Sequence, residues 1–86
     1  MTSQPTKTAK PVAVVRASTL RMAKSWQTLG QVNQAIDAYC RLLTQYADSL
    51  EAQEAAERLL ALAQAFEAQG RYHLALGLYS KLERLS

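Results

Sequence analysis

Cysteine and histidine each occur only once among the 86 residues of this sequence. A single cysteine, Cys40, excludes an internal disulfide framework, and an unpaired cysteine usually behaves as a small buried hydrophobic residue. The single histidine, His73, leaves no ligand set at zinc spacing and no Ser-His-Asp or Cys-His arrangement. A glycine-rich phosphate-binding loop is also missing. We therefore predict no metal, no cofactor and no catalytic residues, and hence a protein that is not an enzyme.

Long apolar runs are missing as well. No stretch approaches the roughly 18 apolar residues that a membrane span needs. The stretch Val12–Val15 is also too short for the apolar core of a signal peptide. These absences predict that the chain has no membrane span and that the protein is cytoplasmic.

Proline and glycine are scarce, whereas 49% of the residues are hydrophobic, a composition that suits closely packed helices. Both prolines lie within the first eleven residues. Residues 1–10 are polar, contain no acidic residue and show no helical periodicity, so we expect a flexible polar and basic tail. Its Ser, Thr and Lys content and its lack of acidic residues also have a slight resemblance to an organelle transit peptide. Residues 11–86 are expected to form one domain.

The net charge of +3 is unevenly divided along the chain. Residues 1–41 contain six Lys or Arg and one acid, whereas residues 42–86 contain four basic and six acidic residues. A basic half can attract acidic proteins, nucleic acid or an anionic membrane surface. The alternative interpretation is that these charges only solvate a helix surface.

A repeat with an offset of 40 residues organises the chain, because residues 29–43 recur at 69–83. A glycine can adopt the left-handed conformation that ends one helix before the next begins. An alanine five residues later allows close helix approach, and a tyrosine one turn further lies on the same face. This pattern predicts a helical hairpin that is used twice. The aligned pairs are Gly30 with Gly70, Ala35 with Ala75, Tyr39 with Tyr79, and Leu42 with Leu82.

Apolar periodicity predicts two hairpins, over residues 11–46 and 48–86. Asp48 is expected to cap the third helix and to form a capping box with Glu51. The pairs Glu54–Arg58 and Glu67–Arg71 have the spacing of helical ion pairs. The predicted buried seam of the first helix, with spacings of 4, 3, 4 and 3, contains Val15, Thr19, Met22, Trp26 and Leu29.

The pattern Ala-x-x-Trp-x-x-x-Gly-x-x-x-x-Ala-Ile-x-x-Tyr-x-x-Leu, from Ala23 to Leu42, resembles the tetratricopeptide repeat, and Ala63 to Leu82 resembles a second copy. The offset of 40 exceeds the 34 residues usual in that family, and the extra residues precede each glycine. The resemblance implies an all-α solenoid fragment of two antiparallel hairpins with long first helices. It also implies a protein-interaction module.

In the family that the sequence resembles, the first helix of each hairpin lines a concave groove that binds a partner. Arg21 and Lys24 could pair there with carboxylates, so an acidic peptide segment is one expected partner. The asparagines of the family's carboxylate clamp are missing, because Lys24 and Gln64 occupy their positions. Carried onto this sequence, the groove would contain Leu20, Arg21, Lys24, Gln27, Leu60, Gln64 and Glu67.

A second candidate surface lies on the last helix. Repeat folds usually need about three units and a polar terminal helix, and this sequence shows two units and no clear cap. We therefore predict an exposed apolar edge at Leu78, Leu82 and Leu85, which would contact another protein or another copy of the chain.

These observations favour a non-enzymatic adaptor, assembly factor or small subunit of a complex. A small dedicated chaperone for a secretion or assembly client is an alternative of similar size and repeat type. Binding of nucleic acid or another anionic surface is a third possibility, disfavoured by the lack of any recognised nucleic-acid motif. It would depend on Lys7, Lys10, Arg16, Arg21 and Lys24.

Overall fold

The structure is a computed structural model that describes residues 11–85, with the side chains of residues 12–85. The predicted tail, residues 1–10, lies outside the described residues. Within them the chain is all-α and forms two antiparallel hairpins, as predicted. No helix of this part of the chain has both the length and the apolar character needed to cross a membrane. The helices are α1 (Pro11–Thr28), α2 (Val32–Gln45), α3 (Leu50–Ala68) and α4 (Tyr72–Leu85).

Each hairpin turns at the predicted glycine. Gly30 has φ +84° and Gly70 has φ +77°, values that favour glycine because a Cβ would clash with the backbone. Both turns are Schellman motifs, in which the two backbone N–H groups after the helix bond to carbonyls of its last turn. The bonds are Gln31 N to Trp26 O and Arg71 N to Phe66 O, both 2.8 Å, with Gly30 N to Gln27 O at 3.1 Å and Gly70 N to Glu67 O at 3.0 Å.

The N-terminus of α3 is capped one residue later than predicted. Ser49 has extended backbone angles, and its Oγ accepts a hydrogen bond from Ala52 N at 3.0 Å. The same hydroxyl donates to Tyr46 O at 2.6 Å, which holds the end of α2 against the start of α3. The predicted capping box of Asp48 and Glu51 is therefore wrong, because the helix begins at Leu50 rather than at Ser49.

The core is formed mainly by α2 and α3, which pack against each other as well as against their own hairpin partners. Tyr39, Leu42 and Leu59 are its largest fully buried side chains. Alanines are fully buried where the helices of a hairpin approach each other, as the repeat pattern predicts. These are Ala23 and Ala35 in the first hairpin and Ala63 and Ala75 in the second.

The predicted buried seam of α1 is only partly correct. Trp26 packs partly against the core as predicted, but Met22 is 50% exposed, Leu29 is 73% exposed and Val15 is 43% exposed. Ala23 is fully buried instead, and Leu20 packs partly against the core. The physical reason is that α1 packs mainly on α2, with only a weak contact to α3. One neighbour covers a narrow stripe of α1, and the wider apolar surface stays exposed.

Candidate partner-binding surfaces

The structure brings three of the seven predicted groove residues together. Leu20, Arg21 and Lys24 line an open depression of about 610 Å³ along α1, which we call the α1 groove. Its remaining lining residues are Ala17, Ser25, Thr28, Leu29 and Glu51. Leu20 is half-buried and Arg21 is exposed, so the groove combines an apolar floor residue with a cation.

The other four predicted residues lie elsewhere. Gln27 lines a second depression of about 490 Å³, formed with residues of α3 that include Glu54, Glu57 and Ala61. Leu60, Gln64 and Glu67 are exposed on α3 and line neither depression. The predicted surface is therefore divided into two shallow regions rather than one continuous groove.

Ion pairs cross from α1 to α3. Lys24 Nζ lies 2.8 Å from Glu54 Oε2, and Arg16 Nε lies 3.1 Å from Glu51 Oε1. The hydrogen bond from Lys24 lowers the pKa of the Glu54 carboxyl below its ordinary value of 4.5. Arg58 approaches the same carboxylate oxygen at 3.8 Å, which confirms the predicted Glu54–Arg58 pair. The uneven charge of the sequence is thus partly neutralised between the two hairpins.

Arg21 differs from Arg16 and Lys24 because it has no carboxylate partner among the described residues. Its Nη2 donates only to the Oγ of Ser18, at 3.2 Å on the same exposed helix surface. A hydroxyl does not neutralise a guanidinium, so this side chain can still form a bidentate pair with a carboxylate. Among the described residues, Arg21 is therefore the cation of the α1 groove that has no carboxylate partner.

Gln27 and Glu67 make hydrogen bonds within their own hairpins. The hydroxyl of Tyr39 donates to Gln27 Oε1 at 2.6 Å, and that of Tyr79 donates to Glu67 Oε1 at 2.8 Å. The predicted Glu67–Arg71 ion pair is not formed; the guanidinium of Arg71 lies 5.1 Å from the centre of the Phe66 ring. Gln27 and Glu67 therefore each connect the two helices of their own hairpin.

The predicted exposed edge of α4 is corrected by the structure. Leu78 is only 4% exposed, and Leu82 and Leu85 are partly buried against the core. They lie on the face of α4 that packs on α3, because they follow the buried Ala75 at helical spacing. The apolar residues that α4 does expose are Tyr72 (62%), Leu74 (41%) and Leu76 (65%). The spacing of four between Tyr72 and Leu76 was the sequence signal for this second face.

A third cavity, of about 760 Å³, lies between α2 and the second hairpin and was not predicted. Val32 and Ile36 of α2 line it opposite Phe66, Leu74 and Leu78. Charged residues surround these apolar side chains, so its lining is mixed. No short motif marks this cavity in the sequence, because its walls come from helices that are brought together only by folding. The other lining residues are Gly30, Asn33, Asp37, Arg71, His73, Gly77 and Lys81.

The reactive residue types show no catalytic arrangement within the described part of the chain. Residues 11–85 contain no group of three or more His, Cys, Asp or Glu that could hold a metal ion. Burial raises the pKa of the Cys40 thiol, which disfavours the nucleophilic thiolate form. These features give no support to metal or thiol chemistry at Cys40 or His73.

Comparison with known proteins identifies one repeat family. Residues 17–49 match the family model described as Tetratricopeptide repeat. The match covers most of α1, all of α2 and the connection to α3. No curated protein and no solved structure matches the chain. Repeats of this family are typically non-enzymatic modules that bind other proteins. The second hairpin of this chain has the same glycine turn and the same tyrosine hydrogen bond as the first. Residues 17–49, which are fewer than half of the chain, are therefore similar to a tetratricopeptide repeat.

Proposed function

We propose that this protein is a non-enzymatic interaction module that acts as an adaptor, assembly factor or small subunit of a cytoplasmic complex. The observation that carries the proposal is the α1 groove, in which half-buried Leu20 lies beside the unpaired cation of Arg21. Such a groove offers apolar contact area together with one group that can fix the position of an acidic side chain.

The favoured ligand is an acidic peptide segment of another protein. Arg21 could donate hydrogen bonds directly to a carboxylate of this segment. Lys24 would first have to break its ion pair with Glu54 or share that carboxylate. Exchange of one exposed ion pair for another gains little free energy, typically below about 1 kcal/mol. Affinity would therefore depend mainly on Arg21 and on apolar contact with Leu20.

Site-specific photocrosslinking in the cells that produce the protein would test this proposal. A photoreactive amino acid at Ala17, in the α1 groove, should give a discrete crosslinked partner. The same probe at the exposed Asn33 of α2, which does not line the α1 groove, is the control and should not give that product. Arg21→Glu should remove the crosslink from Ala17 because it reverses the charge that the partner contacts. Equal crosslinking from Ala17 and Asn33, or no effect of Arg21→Glu, would argue against the α1 groove as the binding site.

A dedicated chaperone is the first alternative. It would use the same groove, but it would release its client after folding or assembly, whereas a structural subunit would stay bound. Pulse-chase measurement of the crosslinked partner separates the two functions. A crosslink that disappears with time after synthesis of the partner favours the chaperone.

Nucleic-acid or anionic-surface binding is the second alternative. Two of the five basic residues assigned to it, Arg16 and Lys24, are already paired with Glu51 and Glu54. Pairing within the chain reduces the number of phosphates that this half could neutralise. Binding to a single-stranded oligonucleotide that weakens steeply with salt would favour this alternative.

A further inference from the structure

The exposed apolar residues of α1 align, in the 40-residue repeat, with residues of α3 that are buried. With the offset of 40 residues, Val12 aligns with Ala52, Val15 with Ala55, and Met22 with Leu62. The α1 residues are 54%, 43% and 50% exposed, whereas their α3 counterparts are 1%, 0% and 9% exposed. Within the hairpins, α1 packs on α2 and α3 packs on α4. In addition, α3 packs on α2 of the preceding hairpin. Contact with the preceding hairpin therefore accounts for the extra burial.

The exposed apolar residues of α4 show the complementary relationship. Tyr72 and Leu76 align with Val32 and Ile36 of α2. The α2 residues are partly buried and line the cavity that faces the second hairpin. Their α4 counterparts are 62% and 65% exposed. Tyr72 and Leu76 therefore face the place that a following hairpin would occupy, and no helix among residues 11–85 covers them.

The two uncovered surfaces are thus the two halves of a contact that already exists inside the chain. We propose that a second copy of the protein binds head to tail, with α1 of one copy packed on α4 of the other as α3 packs on α2. The head surface is formed by Val12, Val15 and Met22, and the tail surface by Tyr72 and Leu76.

The intermolecular contact is weaker than its internal template. Thr19 stands where α3 has the fully buried Leu59, and Glu83 stands where α2 has the buried Leu43. Two separate copies also lose translational and rotational freedom, which α2 and α3 avoid because a short connection joins them. We therefore expect reversible association that increases between micromolar and millimolar concentrations. The contact is heterologous, so it leaves one head surface and one tail surface open for further copies.

Sedimentation of the full chain over a concentration series tests this proposal. The wild-type mass should rise from 9.5 kDa toward dimers and larger species. Met22→Glu removes the head surface and Leu76→Glu removes the tail surface, and each variant alone should stay monomeric. Both residues are at least half exposed, so the hairpins should keep their helicity by circular dichroism. Leu60→Glu, at an exposed leucine of α3 outside both surfaces, is the matched control and should associate as the wild type does.

Mixing the two variants gives the decisive result. Met22→Glu retains a tail and Leu76→Glu retains a head, so an equimolar mixture should form one-to-one dimers and nothing larger. A symmetric contact through α4 would instead leave Met22→Glu dimeric and the mixture without new dimers, which would contradict the proposal. A wild-type chain that stays monomeric up to millimolar concentration would also contradict it. Arg21→Glu should not change self-association, so this result is separable from binding in the α1 groove.

Discussion

The hydroxyl of Tyr39 donates a hydrogen bond to Gln27 Oε1, and this bond joins the second helix of the first hairpin to the first. Tyr79 makes the same bond to Glu67, at the positions 40 residues later. In both hairpins the partners are 12 residues apart and lie on opposite sides of the glycine turn. The tyrosine of the repeat is therefore a packing residue and also a polar link across the turn.

We predict that Tyr39→Phe lowers the free energy of unfolding by about 1 kcal/mol, the net contribution of a typical protein hydrogen bond. The ring remains in the core, while Gln27 Oε1 loses its donor. Tyr79→Phe should cost less because its bond is exposed to solvent. Urea unfolding followed by circular dichroism measures both effects. Tyr72→Phe is the control, since Tyr72 is 62% exposed and should show no change. Equal losses for all three variants would mean that the bonds across the turns do not contribute.

The ion pair between Lys24 and Glu54 predicts a pH dependence in mild acid. The folded protein holds the pKa of Glu54 below its ordinary value of 4.5. The stabilisation is therefore present above pH 4.5 and is lost as the pH falls through the lowered pKa of the folded state. Because both side chains are more than a third exposed, it should amount to only a few tenths of a kcal/mol.

Glu54→Gln should reproduce this loss at neutral pH and should differ less from the wild type well below pH 4.5. Chemical denaturation at a series of pH values measures the difference between the two proteins. Glu57→Gln is a suitable control, because Glu57 is exposed and makes no ion pair among the described residues. A difference between Glu54→Gln and the wild type that is independent of pH would contradict the assigned role of the pair.

The sequence was sufficient to predict the hairpins, because their determinants are local. Gly30 and Gly70 have the positive φ that ends a helix, and Ala35 and Ala75 are buried where the helices meet. Each of these signals depends on a few neighbouring residues, and the 40-residue repeat presents each one twice. The family resemblance then supplied the arrangement of the two hairpins.

The exposed surfaces were harder to predict because they depend on how many helices cover each face. Met22 lies on an apolar stripe of α1, yet it is exposed because no preceding hairpin among the described residues covers it. The sequence places Leu78 at an exposed edge, yet its side chain is only 4% exposed. Periodicity identifies the apolar faces of a helix, but it does not indicate how many other helices pack against each face. The pairing of Lys24 with Glu54 also depends on tertiary structure, since 30 residues separate them.

The position of the α3 cap leads to a third prediction. Ser49→Ala should lower the free energy of unfolding by about 1 kcal/mol, because Ala52 N loses its side-chain acceptor. Asp48→Ala should have a smaller effect, since Asp48 precedes the capping residue and its side chain does not make the capping bond. Thermal unfolding of the two variants compares them directly. A larger loss of stability for Asp48→Ala than for Ser49→Ala would instead support the capping box expected from the sequence.

The buried alanines lead to a fourth prediction. Ala35→Trp and Ala75→Trp should each unfold the chain, because a large ring cannot fit where the helices of a hairpin meet. A domain of this size has little stability to lose. Ala61→Trp places the same ring at an exposed position of α3 and should leave the helicity unchanged. Normal helicity and thermal stability in Ala35→Trp and Ala75→Trp would contradict the packing of both hairpins.

Substitution by alanine should lower the free energy of unfolding at two of the three glycines and raise it at the third. Gly30→Ala and Gly70→Ala should each lose about 1 kcal/mol or more, because an L-residue is strained at positive φ. Gly77 is different, since it lies inside α4, and a Cβ there would meet no heavy atom within 4 Å. No close helix crossing requires this glycine, so Gly77→Ala should gain about 0.5–1 kcal/mol from its higher helix propensity. Urea unfolding of the three variants measures both signs in one experiment. A loss of stability in Gly77→Ala would show that the glycine has a packing role in α4 after all.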